Sequence, residues 1–112
     1  MSNSERIEAL IAQMTVEEKV GQLGIFADAL RPFAPDVNPE ANALDAAQVR
    51  EGIRAGRIGA LFNGVGAAQG REAQRIALEE SRLGIPLLFG SDVIHGMRTV
   101  FPIPLGEAAS FE

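Results

Sequence analysis

The feature that most constrains this chain is an alternation of three short apolar runs with segments that carry helix signals. The runs are "LGIF" at residues 23–26, "IGALF" at residues 58–62 and "LLF" at residues 87–89. Each run is short enough for a buried strand, and helical segments separate successive runs. Because strands joined by helical crossovers pair in parallel, the order predicts an α/β fold with about three parallel strands, buried on both faces and linked by right-handed connections.

Two predicted helices precede the first strand. Ser4 is the expected N-cap of the first helix, in which apolar residues recur at helical spacing on one face: Ile7, Leu10, Ile11 and Met14. Thr15 and Glu18, three residues apart, form a capping box that predicts the start of the second helix.

The two crossovers also carry helix boundaries. Asp45 is the expected N-cap of one crossover helix, and Gly56 is placed to end it. The second crossover helix is expected over residues 67–83, and a last helix begins near residue 106. Residues 28–42 contain three prolines and predict a loop longer than the usual ~4–6 residues, a length typical of functional loops.

Composition and charge exclude several classes of function. The 112 residues allow one domain at most, or a piece of a larger one. They carry 15 acidic side chains against 10 Lys and Arg, and the net charge of −5 disfavours nucleic acid and anionic membranes as partners. No apolar run approaches the ~20 residues of a membrane-spanning helix. There is no cysteine, so the sequence does not indicate a redox compartment. No secretory signal is visible, so a cytoplasmic location is the default expectation.

A polar cluster follows the third apolar run, where parallel α/β folds place their ligand sites. Asp92 is suited to accept hydrogen bonds from ligand hydroxyls, although Ser91 and Asp92 suit a turn or a helix cap equally well. His95 is a candidate base or ligand residue, but a histidine satisfied by backbone groups is the favoured interpretation. Arg98 is a candidate substrate clamp or a partner in an ion pair. One histidine and no cysteine predict that there is no metal site.

The segment "NGVGAAQG", residues 63–70, lies between a predicted strand and a predicted helix, as phosphate-binding loops do. Its glycines, at positions 64, 66 and 70, are spaced one residue too widely for the dinucleotide fingerprint, and no Lys-Ser/Thr pair follows. A tight turn is the favoured interpretation of these glycines. Asp28 and Asp36, in the loop after the first run, are further candidates for the same sheet edge.

Three longer segments carry a resemblance to a known family: "MTVEEKVGQL" at residues 14–23, "GRIGALFN" at residues 56–63 and "SRLGIPLLFGSDVIHGMRTVFPIPLGEAASFE" at residues 81–112. In this order they resemble glycoside hydrolase family 3, and within it the bacterial periplasmic β-glucosidases. The resemblance implies the N-terminal part of a (β/α)8 barrel and a retaining, exo-acting hydrolase that removes terminal β-linked glucose without a cofactor. It also implies that Asp92, in the motif "D-V-x-H-G", contacts sugar hydroxyls, and it implies a periplasmic location. Arg98 and His95 are further substrate-binding candidates.

The same resemblance implies an incomplete site. The family's nucleophilic aspartate, its Lys-His sugar-binding pair and its acid/base glutamate have no counterpart in residues 1–112, so no catalytic residue is expected in this chain. We therefore expect an incomplete N-terminal barrel domain, inactive alone, whose partners are a β-glucoside or oligosaccharide, the remainder of the barrel and a C-terminal domain. The alternatives are a β-N-acetylhexosaminidase of the same family, a non-catalytic sugar-binding or assembly module that completes a split barrel, and a plain three-strand domain without activity.

Overall fold

The computed structural model describes residues 2–30, 44–64, 66–93, 95–96 and 98–111. Within these ranges the elements are α1 (Asn3–Gln13), α2 (Val16–Leu23), β1 (Ile25–Ala27), α3 (Ala46–Arg54), β2 (Ala60–Phe62), α4 (Ala67–Arg75), β3 (Leu88–Gly90) and α5 (Pro104–Ala109). A π-helical segment, Ile76–Glu80, continues α4. The predicted order of helices and strands is confirmed, with strand boundaries that differ by one or two residues.

The three strands form one parallel sheet in the order β1-β2-β3. Ile25 of β1 pairs with Ala60 of β2, which pairs in turn with Leu88 of β3. The α/β class, the parallel pairing and the helical crossovers are therefore confirmed. Because β2 lies in the centre, β1 and β3 are the two outer strands of this sheet.

The hydrophobic core lies between one face of the sheet and the helical layer formed by α3, α4 and the π-helical segment. Leu61, in the middle of β2, is 0% exposed. It belongs to a buried cluster whose other members come from the helices and the strand starts: Val49, Ile53, Ile58, Ala73, Ile76, Ala77 and Leu87. The apolar residues that both crossover helices contribute to this cluster face the sheet, as expected for amphipathic helices that cover one of its faces.

The opposite face of the sheet is open, which corrects the prediction that the strands are buried on both faces. Ile25 is 58% exposed and Leu88 is 73% exposed, whereas Phe26 faces the other way and packs against the core. Cross-strand partners share a face, so Ile25, Ala60 and Leu88 lie on the same side of the sheet. A short apolar run has the same appearance in a sequence whether one face or both faces of its strand are covered.

Capping boxes decide where the first helices begin. The hydroxyl of Thr15 accepts a hydrogen bond from the Glu18 N–H, and the Glu18 carboxylate accepts one from the Thr15 N–H, as predicted. The predicted cap of α1 at Ser4 is wrong, because Ser2 is the N-cap. Glu5 lies three residues after Ser2 and completes a capping box there, a partner that Ser4 does not have.

The remaining helix boundaries also follow local hydrogen bonds. Asp45 caps α3, as predicted, by accepting a hydrogen bond from the Gln48 N–H at 2.8 Å. The helix predicted to extend to residue 83 ends at Glu80, since the chain leaves the helix at Ser81. The Ser81 hydroxyl donates to the carbonyl of Ala77 at 2.5 Å and accepts from the N–H of Gly84 at 3.2 Å.

Two close contacts fix the starts of the strands against the helices. The side-chain amide of Gln74 both donates to the carbonyl and accepts from the N–H of Leu87, each at 2.8 Å. The carbonyl of Gly21 in α2 accepts from the N–H of Gly59 at 3.0 Å. A Cβ atom at position 21 would lie 2.4 Å from the carbonyl oxygen of Gly56, so this approach requires glycine. These contacts hold the starts of β2 and β3 in place against the helices, and they therefore also set where the carboxyl ends of these two strands lie.

Candidate functional site

The carboxyl ends of the three parallel strands meet at one edge of the sheet, and polar residues follow each of them: Asp28, Asn63 and Asp92. We call these three residues the strand-tip cluster. Backbone pairing continues one residue past β1 and β2. The N–H of Asp28 donates to the carbonyl of Phe62 at 2.9 Å, and the N–H of Asn63 donates to the carbonyl of Gly90 at 3.0 Å. The sheet itself therefore positions two of the three residues.

Asp28 is the buried member of the strand-tip cluster. It is 4% exposed, and its Oδ1 accepts a hydrogen bond from the N–H of Leu30 at 3.0 Å. A carboxylate that bonds the backbone two residues later forms an Asx turn, which here ends β1 and starts the following loop. Most of the loop predicted over residues 28–42, including Asp36, lies outside the described residues. The described contacts of Asp28 indicate a turn-forming role.

Asn63 connects the second strand tip to the third. Its Oδ1 accepts a hydrogen bond from the backbone N–H of Asp92 at 2.7 Å, across 29 positions of sequence. Its backbone lies in the left-handed region, with φ at +58°. Asparagine adopts this conformation more readily than most residues, since its short side chain bonds locally and limits the steric cost. From the sequence, only the glycines of this segment were considered, and Asn63 was not identified. The signal that could have identified it is the Asn-Gly pair directly after a buried strand.

Asp92 is exposed at the same edge, two residues beyond the end of β3. Its backbone N–H donates to Oδ1 of Asn63, and the residue itself is exposed to solvent. A carboxylate has no hydrogen-bond donor when it is ionised and can accept from two hydroxyl groups at once. This is the chemistry that the resemblance to sugar hydrolases implies for Asp92, and the exposed position is compatible with it.

His95 and Arg98 lie in the loop that follows Asp92, and both are exposed. The loop is folded back by two backbone hydrogen bonds, from the N–H of Gly96 to the carbonyl of Val93 at 2.8 Å and from the N–H of Phe101 to the carbonyl of His95 at 2.6 Å. Gly96 has φ at +95°, and a Cβ atom there would meet the Thr99 carbonyl oxygen, so the turn requires glycine. The roles of His95 and Arg98 as substrate-binding residues stay predictions.

A glycine of the segment after β2 takes the chain into α4. Gly66 is the N-cap of α4 and has φ at +105°, a conformation that residues with a side chain rarely adopt. A Cβ atom at this position would lie 2.7 Å from Oε1 of Gln69. The conformation of Gly66 supports its interpretation as a turn residue, whereas Gly70 is buried within α4, so the turn interpretation is wrong for Gly70.

Ion pairs lie on the helical layer. Arg82 donates to Glu18 through Nη2 at 2.5 Å and lowers the pKa of that carboxyl, while the pKa of Arg82 is raised in return. Glu80 accepts from Arg54 and lies 2.7 Å from Nη2 of Arg75, and these two guanidinium groups lower its pKa. Since these pairs connect neighbouring helical segments, we assign them a structural role.

Among the described residues, no three histidine, cysteine or carboxylate side chains are grouped as metal ligands would be. No helix in the same ranges has both the length and the apolar character needed to cross a bilayer.

Comparison with known proteins decides the family. Residues 15–112 match the model of the glycosyl hydrolase family 3 N-terminal domain. The chain belongs to glycoside hydrolase family 3. Over 91% of its length it is 45% identical to a periplasmic β-glucosidase of Salmonella typhimurium. The segments that carried the resemblance in the sequence were therefore interpreted correctly.

Solved structures of the family agree with the fold. A β-glucosidase from Listeria innocua in complex with isofagomine matches 100% of this chain at 34% identity, with a TM-score of 0.69. The same enzyme in complex with glucose matches 99% of the chain at 32% identity, with a TM-score of 0.68. Family 3 β-glucosidases have a (β/α)8 barrel domain, and the three parallel strands with their crossover helices form the N-terminal part of such a barrel.

The chain spans a small part of these relatives. It covers 12% of the Salmonella enzyme and 14–15% of the Listeria enzyme.

The cytoplasmic location expected by default has no support in the comparisons, because the Salmonella relative is a periplasmic protein.

Proposed function

We propose that this chain supplies the first strands of the barrel of a retaining, exo-acting β-glucosidase that hydrolyses terminal, non-reducing β-D-glucosyl residues. One observation carries the proposal: Asp92 is exposed at the carboxyl edge of β3, in a chain similar over nearly its whole length to β-glucosidases. Ligands of parallel barrels bind at this edge, where residues from several strand ends converge.

Asp92 has the role of binding sugar hydroxyls. Its carboxylate accepts hydrogen bonds from two neighbouring hydroxyl groups of the terminal sugar, and such charge-assisted bonds are stronger than neutral ones. The exposure of Asp92 and its tethered backbone support this role. His95 and Arg98 are further substrate-binding residues in the proposal, since both are exposed in the loop that begins at Asp92.

The catalytic carboxyl groups lie elsewhere in the proposed enzyme. A retaining glycosidase needs a nucleophile and an acid/base residue about 5–5.5 Å apart, on either side of the scissile bond. Asp28 is buried and bonded to the backbone of Leu30, so it is a poor candidate for either role. We therefore propose that residues 1–112 are an incomplete barrel domain that is inactive alone and requires the remaining strands as its partner.

The test compares two substrates and two lengths of protein. The protein at its full natural length is assayed with an aryl β-glucoside and with the matching aryl β-N-acetylglucosaminide. We expect a higher kcat/KM for the glucoside, release of the β-anomer of glucose first, and no turnover by residues 1–112 alone. Preference for the N-acetylated substrate would favour the hexosaminidase alternative. First release of the α-anomer would exclude a retaining mechanism, and turnover by residues 1–112 would contradict their assignment as an inactive part.

A further inference from the structure

We propose that Asn63 is a positioning residue for Asp92, which holds the start of the loop after β3 so that the Asp92 carboxylate stays at the sugar-binding edge. This inference rests on the proposed role of Asp92 in binding the sugar. It adds a residue at the tip of a different strand, β2, and assigns that residue the role of holding the start of an exposed loop.

The geometry places Asn63 as a connection between two strands. Its backbone N–H donates to the carbonyl of Gly90, the last residue of β3, at 3.0 Å. Its side-chain Oδ1 accepts from the N–H of Asp92 at 2.7 Å. One residue at the tip of β2 thus bonds the neighbouring strand at its last residue and again two residues later. The chain direction between Gly90 and Asp92 is fixed at both ends by the same residue.

The left-handed backbone of Asn63 limits which side chain can make this contact. With φ at +58°, the position favours glycine, asparagine or aspartate. The bond to Asp92 requires an acceptor oxygen, because the partner is a backbone N–H. Glycine satisfies the backbone but has no acceptor, whereas aspartate satisfies both. Asn63→Gly keeps the backbone conformation but removes the acceptor oxygen, whereas Asn63→Asp keeps both. The two substitutions therefore test the acceptor separately from the backbone.

The contact matters because little else holds this stretch. Ser91, Asp92 and Val93 are all exposed, so burial contributes little to ordering them. A substrate-binding carboxylate is effective when its position is fixed before the ligand arrives, since ordering it on binding reduces the affinity. Removing one such hydrogen bond is expected to weaken sugar binding about three- to tenfold.

The experiment measures the Kd for isofagomine in the protein at its full natural length. Asn63→Gly is expected to raise Kd about three- to tenfold, and Asn63→Asp to stay within about twofold of the wild type. Asp92→Asn is expected to raise Kd by about tenfold or more. The double variant Asn63→Gly/Asp92→Asn is expected to match Asp92→Asn alone, because Asn63 acts through Asp92. Asn3→Gly, the same substitution at an exposed position of α1, is the control and is expected to leave Kd unchanged.

The outcomes separate this inference from the proposed function. If Asp92→Asn leaves Kd unchanged, the sugar-binding role of Asp92 is overturned and the positioning role with it. If Asp92→Asn raises Kd but Asn63→Gly does not, the positioning role alone is overturned. Multiplying effects in the double variant would also overturn it, because the loss at position 63 would then not run through Asp92.

Discussion

Arg82 donates two hydrogen bonds to the carboxylate of Glu18, from a position 64 residues further along the chain. Its Nε lies 3.0 Å from Oε1 and its Nη2 lies 2.5 Å from Oε2. The same guanidinium donates to the carbonyl of Gln13 at 2.8 Å, and Glu18 also accepts from the N–H of Thr15 at 2.8 Å. This pair therefore joins the end of α1 and the start of α2 to the segment that follows the π-helical turn.

The first prediction concerns acid stability. Hydrogen bonding to Arg82 holds the pKa of Glu18 below its ordinary value of 4.5. In the unfolded chain the carboxyl group takes up a proton near that value, while the folded chain keeps it ionised. The stability that Glu18 contributes is therefore present above about pH 4.5 and is lost as the pH falls through the lower folded pKa. We expect Glu18→Gln to lower Tm at neutral pH, and the difference from wild type to shrink in acid.

The measurement is thermal unfolding of dilute protein across a pH series. Glu17→Gln removes an equal charge from an exposed side chain in the same helical turn, and it is expected to leave Tm nearly unchanged at neutral pH. A loss of Tm for Glu18→Gln that is the same at about pH 7 and at about pH 3 would contradict the assignment, because a neutral and an ionised Glu18 would then stabilise the fold equally.

The second prediction compares two helical glycines. A Cβ atom at Gly21 would lie 2.4 Å from the Gly56 carbonyl oxygen and 2.8 Å from the backbone of Arg57, and neither backbone atom can rotate away. Gly21→Ala is therefore expected to destabilise the fold by about 1–3 kcal/mol. At Gly106 in α5 the nearest atom is 3.6 Å away, an ordinary contact, so Gly106→Ala is expected to gain about 0.5–1 kcal/mol. The free energy of unfolding is measured by chemical denaturation. Equal changes for the two variants would mean that α2 does not lie against Gly56 and Arg57 as described.

Local chemistry explains how much of the fold could be predicted from the sequence. The capping box of Thr15 and Glu18 and the cap at Asp45 involve partners three residues apart, so a sequence displays them directly. The cap of α1 was assigned to Ser4, although Glu5 already marked Ser2 as the better choice.

Long-range contacts explain what could not be predicted. The bond between Asn63 and Asp92 joins two strand tips that are 29 residues apart, and it depends on a strand register that no local pattern reveals. The open face at Ile25 and Leu88 was missed for the same reason, since apolar composition does not say which neighbour covers a side chain. Asp92 was selected through its motif and lies exposed near the tip of β3, and its role in sugar binding stays a prediction.

The third prediction concerns residues 1–112 expressed alone, which we expect to self-associate. Ile25 and Leu88 expose apolar surface on one face of the sheet, and the outer strands β1 and β3 each present an edge. Leu88→Lys is expected to reduce the fraction of oligomers in chromatography with light scattering. Leu78→Lys, on the helical layer at 51% exposure, is the matched control and should change this fraction less. A monodisperse wild-type monomer with a sharp thermal transition would show that the described sheet needs no further cover.

The fourth prediction tests the proposed role of the Asp92 carboxylate in the protein at its full natural length. Asp92→Asn removes the charge but keeps the shape, and it is expected to lower kcat/KM on an aryl β-glucoside about ten- to 150-fold, the equivalent of about 1.5–3 kcal/mol for hydrogen bonds to a charged group. Asp45→Asn makes the same change at the N-cap of α3, where asparagine caps as well as aspartate, so its kcat/KM should stay at the wild-type value. If both variants kept wild-type kcat/KM, Asp92 would not contact the substrate in the transition state, and its proposed role at the edge beyond β3 would be excluded.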